Sequence, residues 1–389
     1  MKIAGIIAEY NPFHNGHAWH IAQTRRLTGC DFVIVCMDGH FTQRGEPAPF
    51  SRWSRARMAL SSGADAVFEL PTLFAVRTAD AFARGGVAIL GGLGADALSF
   101  GCETDELGTL RALAALRENE PKSVSEAVKT NLGLGMCHAR ARGEALAAHF
   151  GLGSDFINRP NLILAVEYLR AIDALHLNME AVAIRRQGNY HDGALGEFAS
   201  AGAIRAAMAR GETEAALDCI PAAARPFAAP EALHPMDDLL MDRLRRMSVE
   251  AMAALTDVSE GLEQRLHRQC RETAGREALL DAMKCRRYTR ARLSRLLTHA
   301  LLEISQDDVA AHPLPTCARL IGMRRGAQPL MRELKARSRL PVVSNPGEIR
   351  EDPVFLIECR VTDTWALLHD EPALRLPGRE FTEKFVIVE

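Results

Sequence analysis

Short apolar runs alternate with longer amphipathic stretches through the first half of the chain. Residues 2–8, Lys2-Ile3-Ala4-Gly5-Ile6-Ile7-Ala8, form a run of the kind seen in strands covered on both faces. Residues 32–37, 66–70, 97–100 and 180–184 read the same way. Between them the spacing predicts helices over 51–62 and 79–90, further helices across 105–150 and one over 161–176. This is the βαβ pattern of an α/β protein with an open parallel, Rossmann-like sheet. A helix is expected to start near Ser200, and the first domain, 1–220, to close after it. The Pro- and Ala-rich stretch 220–235 marks the expected boundary to a second, mostly helical domain over 221–389, helical to about 304, mixed beyond, and ending in a strand-like run at 385–388.

The first strand runs into a helix through Glu9-Tyr10-Asn11-Pro12-Phe13-His14-Asn15-Gly16-His17. A Gly-containing turn at this place aims unpaired backbone N–H groups and the positive helix end at one point, which suits phosphate. Asn11 or Asn15 is the expected helix cap, and Gly16 leaves room for close approach of a ligand. His14 and His17, three apart, share one face of the first turn, so two imidazoles can donate to one anion. His14, His17 and His20 could instead hold a metal, but no Cys or carboxylate at a recognisable ligand spacing completes a site, and none is assigned.

Composition narrows the class. The 389 residues are 48% hydrophobic and 25% charged, an ordinary globular balance with length for two domains. No apolar run approaches the roughly 20 residues of a membrane span, and Glu9 interrupts the first run too early for a signal peptide. A cytoplasmic protein without membrane partners is expected. Nine cysteines without a CxxC pair fit reduced thiols. The net charge of −2 requires any nucleic-acid surface to be a local patch.

Ligands of open parallel sheets sit at the carboxyl ends of the strands, which singles out several further residues. Gly101 follows the 97–100 strand and Asn161 opens a helix, where its bare reading is an N-cap. Arg185 and Arg186 end the 180–184 strand, where guanidinium groups can reach phosphate or simply be solvated. Ser200 would cap the helix containing Ser200-Ala201-Gly202-Ala203-Ile204-Arg205 and turn its free N–H groups to the same anion. Tyr190-His191-Asp192 reads equally as an acid/base loop or as a structural turn.

The blocks EYNPFHNGH, FTQRGEPAPFSRWSRARMAL (41–60), GADAVFELP (63–71) and FGCE (100–103), in this order, resemble the tRNA(Met) cytidine acetate ligase family of HxGH nucleotidyltransferases. PNLIL, YHD and ASAGAIR carry the resemblance into the second half. It implies a HUP-type nucleotidyltransferase sheet, with His14 and His17 as the catalytic pair. It further implies ATP contacts at Ile7, Ala8, Glu9, Tyr10, Asn11, Phe13, His14, Asn15, Gly16, His17 and His20, and at Gly101, Asn161, Arg185, Arg186, Ser200 and Arg205. The chain departs from the family at Asp38 and His40, where Ser-Gly-Asn-Phe is usual, at Leu162, where a second asparagine is common, and at Gly202, where a threonine is usual.

The second half adds basic stretches. Lys284-Cys-Arg-Arg-Tyr-Thr-Arg-Ala-Arg-Leu-Ser-Arg295 has six basic residues and no acid, with Arg286, Arg287 and Arg290 on neighbouring faces of an expected helix around Tyr288. A second stretch, 319–339, carries Arg324, Arg325 and Lys335. Such segments track a phosphate backbone and stack on exposed bases, although many basic helix faces are only solvated. With the resemblance, the expected substrates are ATP accompanied by Mg2+, acetate, and the anticodon loop of elongator tRNA(Met), whose wobble cytidine would become N4-acetylcytidine. A nucleotidyltransferase acting on a small cofactor precursor would use the same triphosphate grip.

Overall fold

Each strand expected in the first 220 residues is present, and the reason lies in the alternation of their side chains. The computed structural model describes all residues except 117–119, 188–193, 232 and 260. Strands β1 (Ile3–Ala8), β2 (Phe32–Asp38), β3 (Ala66–Leu70), β4 (Ala97–Cys102) and β5 (Glu180–Arg185) lie parallel in the order β5-β4-β1-β2-β3. In β2, Val33, Val35 and Met37 enter one core while Ile34 and Cys36 enter the other. Both faces are therefore buried, as a continuous apolar run requires.

The helices that frame the site are α1 (Asn15–Thr28), α2 (Arg52–Ser61), α3 (Ala79–Gly92), α4 (Pro160–Ala174), α5 (Ala201–Ala209), α6 (Arg290–Leu302) and α7 (Pro353–Ala366). The 105–150 stretch folds as three helices, Leu107–Ala115, Lys122–Gly133 and His138–Phe150. Tyr190-His191-Asp192 lies outside the described residues.

The second half is helical to Leu302, mixed beyond and ends in a strand, as expected, but it does not stand apart from the first. The sheet does not stop at residue 220: β6 (Ala318–Arg324) pairs antiparallel with β3, and its other edge carries the short parallel strands β7 (Val342–Val343) and β8 (Val386–Val388). The sheet is thus mixed. Met236, Leu240, Leu296, Leu330 and Trp365 join the same core as Ile3, Ile34 and Phe68, so residue 220 is not a break in packing. Nor is 220–235 a free linker, since Ile220, Ala224 and Ala228 are buried and the Glu231 N–H bonds the Pro49 carbonyl at 2.6 Å. β6 overlaps the start of the 319–339 basic stretch, which masked its strand pattern.

A buried charge cluster joins the two halves. Arg52 of α2 pairs with Glu69 of β3 and with Glu380, and Arg319 of β6 reaches Glu69 at 3.2 Å and Glu380 at 2.6 Å. All four are nearly or wholly shut off from solvent, so losing one cation leaves carboxylates poorly compensated. Arg52→Met is expected to cost about 3 kcal/mol in urea unfolding; an unchanged midpoint would show that Arg319 alone neutralises both carboxylates.

Candidate active site at the β1–α1 corner

The turn after β1 presents two histidines through the needs of its own backbone. The first N–H groups of a helix have no intrahelical acceptor. His14 is the N-cap of α1, and its Nδ1 accepts from the Gly16 N–H at 3.1 Å, while His17 Nδ1 accepts from the His14 N–H at 3.2 Å. This reciprocal cap uses imidazole nitrogen where a Ser and a Glu more often serve. A neutral imidazole whose Nδ1 accepts carries its proton on Nε2. The rings stack with centroids 3.6 Å apart, so both Nε2–H groups belong to one patch. Gly16 is required by this arrangement, because a Cβ there would lie 2.9 Å from Cε1 of His14.

The expected asparagine cap is therefore corrected. Asn15 is the first helical residue, and its side chain turns to the Asp218 carbonyl at 3.2 Å. Phe13, also expected at ATP, is wholly buried and instead backs Tyr10 and His17.

A cleft of about 410 Å³ opens at the carboxyl ends of the parallel strands. The structure brings Ile7, Ala8, Glu9, Tyr10, Asn11, His14, His17, His20, Gly101, Asn161, Arg186, Ser200 and Arg205 to it, and Gly16 to an adjoining recess. Ser200 caps α5 by accepting from the Ala203 N–H at 3.1 Å, as expected, and Arg205 of α5 bonds the Asn11 carbonyl. Asn161 is not a cap: Arg159 holds that position and Pro160 starts α4. The Asn161 amide instead donates to Glu103 at 2.9 Å and accepts from Arg186 at 3.3 Å, which braces that guanidinium at the cleft wall. Arg185 is exposed and absent from the cleft lining, and successive residues at a strand end face opposite ways. His20 lines the cleft, but its Nε2 is engaged by Ser99 at 3.0 Å, so it braces α1 against β4.

Several lining residues were not singled out from sequence. Leu164 and Tyr168 share with Asn161 the i, i+3, i+7 face of α4, a signal that was available. Trp19 and Phe198 meet edge-on at the recess, 6.4 Å between centroids, and no local pattern pairs them. The loop after β2, by contrast, is legible in the sequence, since its place at a strand end predicts that it faces the cleft: Gln43, Arg44 and Glu46, with Thr42, form the opposite wall, and the Gln43 N–H is bonded to Glu9 Oε1 at 2.9 Å.

The family departures have structural partners. Asp38 forms a fully buried ion pair with Arg55 of α2, and Arg55 also bonds the carbonyls of Glu9, at 2.6 Å, and Phe50, at 3.1 Å. It thereby fixes the ends of β1 and β2 relative to each other. His40 is fully buried against Trp365, 4.2 Å between ring centroids, and neither ring nitrogen meets a partner among the described residues. Neither Asp38 nor His40 reaches the cleft, and Leu162 is a core residue of α4.

The basic residues fall into two groups. Arg286 and Arg287 lie in the bend before α6, not on it, since Thr289 is the N-cap of α6. With Arg265 they line a surface pocket of about 390 Å³. Tyr288 is buried with Arg292 over its ring at 4.9 Å, which removes it as a stacking platform. Arg290, in the first turn of α6, is paired with Glu277 and Asp281. Arg324, Arg325 and Lys335 lie elsewhere. The Arg324 N–H bonds the Asp65 carbonyl, just before β3, and the helix of Lys335 is tied to Asp96, just before β4. This second group thus sits at the amino ends of the parallel strands, about 20 Å from the cleft at the usual strand rise.

Burial, then the charge of Arg186, lowers the His14 pKa to about 3 and that of His20 to about 4, and burial lowers His17 well below the ordinary value. The imidazoles are neutral at pH 7, an arrangement in which charge building on a bound anion would meet fixed N–H groups without reorganisation. Because the folded values lie below the ordinary 6.5, the stability contributed by these neutral rings is complete above pH 6.5 and is lost as the pH falls toward 3. Urea unfolding at neutral pH and at about pH 5 should show this loss, reduced when the three histidines are replaced. A sharper test separates cap from donor. His14→Asn retains an acceptor at the Nδ1 position and loses Nε2–H, so adenylate formation should fall about 100-fold or more with little change in Tm. His14→Ala should lose both, and an active His14→Asn enzyme would rule out the Nε2 donor.

Residues 1–376 match the HIGH Nucleotidyl Transferase family. The chain is 33% identical over 419 residues to the tRNA(Met) cytidine acetate ligase of Acetivibrio thermocellus, covering 100% of both chains. It is 39% identical to that of Syntrophotalea carbinolica, covering 90% of this chain and 86% of that one. The crystal structure of Thermotoga maritima TmcAL bound with alpha-thio ATP superposes with a TM-score of 0.89 at 28% identity, and its apo form with 0.92, each covering 100% of both chains. The capped histidine pair, the cleft it faces and these full-length likenesses place the chain in the tRNA(Met) cytidine acetate ligase family of HIGH nucleotidyltransferases.

Proposed function

We infer that this protein is an ATP-dependent ligase that activates acetate as acetyl-adenylate and transfers the acetyl group to N4 of the wobble cytidine of elongator tRNA(Met). The observation that carries the reading is the stacked pair of Nε2–H donors facing the same cleft as the Ser200-capped end of α5. The substrate pair comes from the relatives, which bear the name of this activity.

Acetate attacks the α-phosphate in line, and pyrophosphate leaves. His14 and His17 donate to the phosphoryl oxygens as charge spreads onto them, and the free N–H groups of α5 with Arg205 take the distal phosphates. Asn161 and Glu103 hold Arg186 at the nucleotide. In the second step the exocyclic amine attacks the acetyl carbonyl, and AMP leaves. The cytidine has to be splayed out of the anticodon stack to reach the cleft. Mg2+ bound to ATP would neutralise triphosphate charge. No group of three His, Cys, Asp or Glu suited to a metal occurs among the described residues.

Residues 221–389 carry the tRNA-binding role in this reading, with Arg286 and Arg287 as the RNA contacts that lie on the side of α6. Arg290 is already neutralised by two carboxylates, and Arg324, Arg325 and Lys335 would meet only more distant parts of the RNA. Among the described residues no helix is long and apolar enough to cross a membrane.

ATP–pyrophosphate exchange should depend on acetate, and acetyl transfer should occur to a tRNA(Met) transcript with cytidine at the wobble position but not with uridine, which lacks the amine. Exchange that ignores acetate and responds to a phosphorylated small acceptor would overturn the ligase reading in favour of a cofactor nucleotidyltransferase.

A further inference from the structure

The cleft has three sides, and the first two are occupied by ATP in the function proposed above. β1, α1 and α5 supply the phosphate donors, while β4 and α4 supply the nucleoside side through Gly101, Asn161 and Arg186. The third wall is the loop after β2, Thr42 to Glu46, on the far side of β1 from β4. A second substrate has to enter along it.

This wall does not hold itself in place. It is a tight loop closed by Thr42 N–H to Glu46 O and Gly45 N–H to Thr42 O, each at 2.9 Å, and its apex lies against α6. The Ser294 hydroxyl donates to the Arg44 carbonyl, and the Thr298 hydroxyl donates to the Gly45 carbonyl at 2.7 Å. The Arg276 guanidinium in turn donates to the Ser294 oxygen at 2.6 Å, which directs its proton to the loop. Gly45 has φ +73, and a Cβ there would lie 2.9 Å from the Arg295 Cα and the Ser294 carbonyl. Backbone thus meets backbone, with room for no side chain. From the loop the connection continues into the cleft, because the Gln43 N–H orients the Glu9 carboxylate.

We propose that Ser294 and Thr298 are positioning residues for the acceptor side of the active site: by holding the Arg44 and Gly45 carbonyls they set the wall against which the tRNA cytidine approaches the acetyl group. They touch no substrate and act through the loop. The same helix begins at Arg290, four residues or about 6 Å of helix rise before Ser294, next to the Arg286–Arg287 bend assigned to RNA. One rigid helix therefore sets the spacing between the RNA surface and the acceptor wall. The inference rests on the ligase reading for the identity of the acceptor, but not for the clamp itself.

The test is the double variant Ser294→Ala/Thr298→Val, with Thr298→Ser as the conservative control. Amide exchange across residues 42–46 should quicken in the double variant and stay slow in Thr298→Ser, which reads the clamp whatever the reaction. ATP affinity and acetate-dependent pyrophosphate exchange should stay within about twofold of the parent, while kcat for acetyl transfer to tRNA should fall about 10- to 100-fold, as for a misplacement near 1 Å. Thr298→Ser should keep transfer. Loosened exchange with intact transfer would overturn the inference, as would a loss of ATP binding equal to the loss of transfer, which would mark a general structural role. Failure of the unmodified enzyme to acetylate tRNA would instead count against the ligase reading, with the exchange data still deciding the clamp.

Discussion

The unpaired N–H groups at the start of α1 are the constraint from which the site follows. They need acceptors, and the chain supplies imidazole nitrogen from His14 and His17. Once each Nδ1 is committed to backbone, each proton is on Nε2, each ring is oriented, and two neutral donors face the cleft. In the proposed function, local folding and phosphate recognition are thus one set of bonds. Gly16 belongs to it for a steric reason, making space for the ring that caps it.

Around this corner the protein spends buried charge on alignment. Arg55 fastens the ends of β1 and β2 through carbonyl groups and Asp38, and the Arg52, Glu69, Arg319 and Glu380 cluster fastens β3 to β6 and to the C-terminal segment. Such pairs add little net stability over apolar packing but are costly to break singly. Their effect here is to hold the carboxyl ends of the strands, and the loops that leave them, in fixed relation. His40 between Trp53 and Trp365 fills the space next to this cluster as a neutral ring, burial and nearby arginines having lowered its pKa.

The same continuity shapes the second half. It packs into the core of the first and completes the sheet, so an RNA surface on it is placed rigidly relative to the cleft rather than on a tether. Of the two basic stretches, the bend before α6 adjoins the helix that seats the acceptor wall, whereas the β6 and Lys335 region lies beyond the amino ends of the strands. Similar sequences of charge thus take different places because one precedes a helix and the other ends an antiparallel strand.

The sequence by itself determined the parallel part of the sheet, since strands buried on both faces read as nearly continuous apolar runs, and it located the HxGH corner at the end of the first of them. It also placed the Ser200 cap and the strand-end residues Gly101 and Arg186. Tertiary structure alone decided that His14 rather than an asparagine caps α1, that Asn161 braces Arg186, that Arg185 turns outward and that Phe13 is core. These outcomes depend on which backbone groups remain unpaired after packing. It also decided that β6 joins the sheet and that α6 seats the 42–46 loop, because contacts between residues some 250 positions apart leave no period in the local pattern.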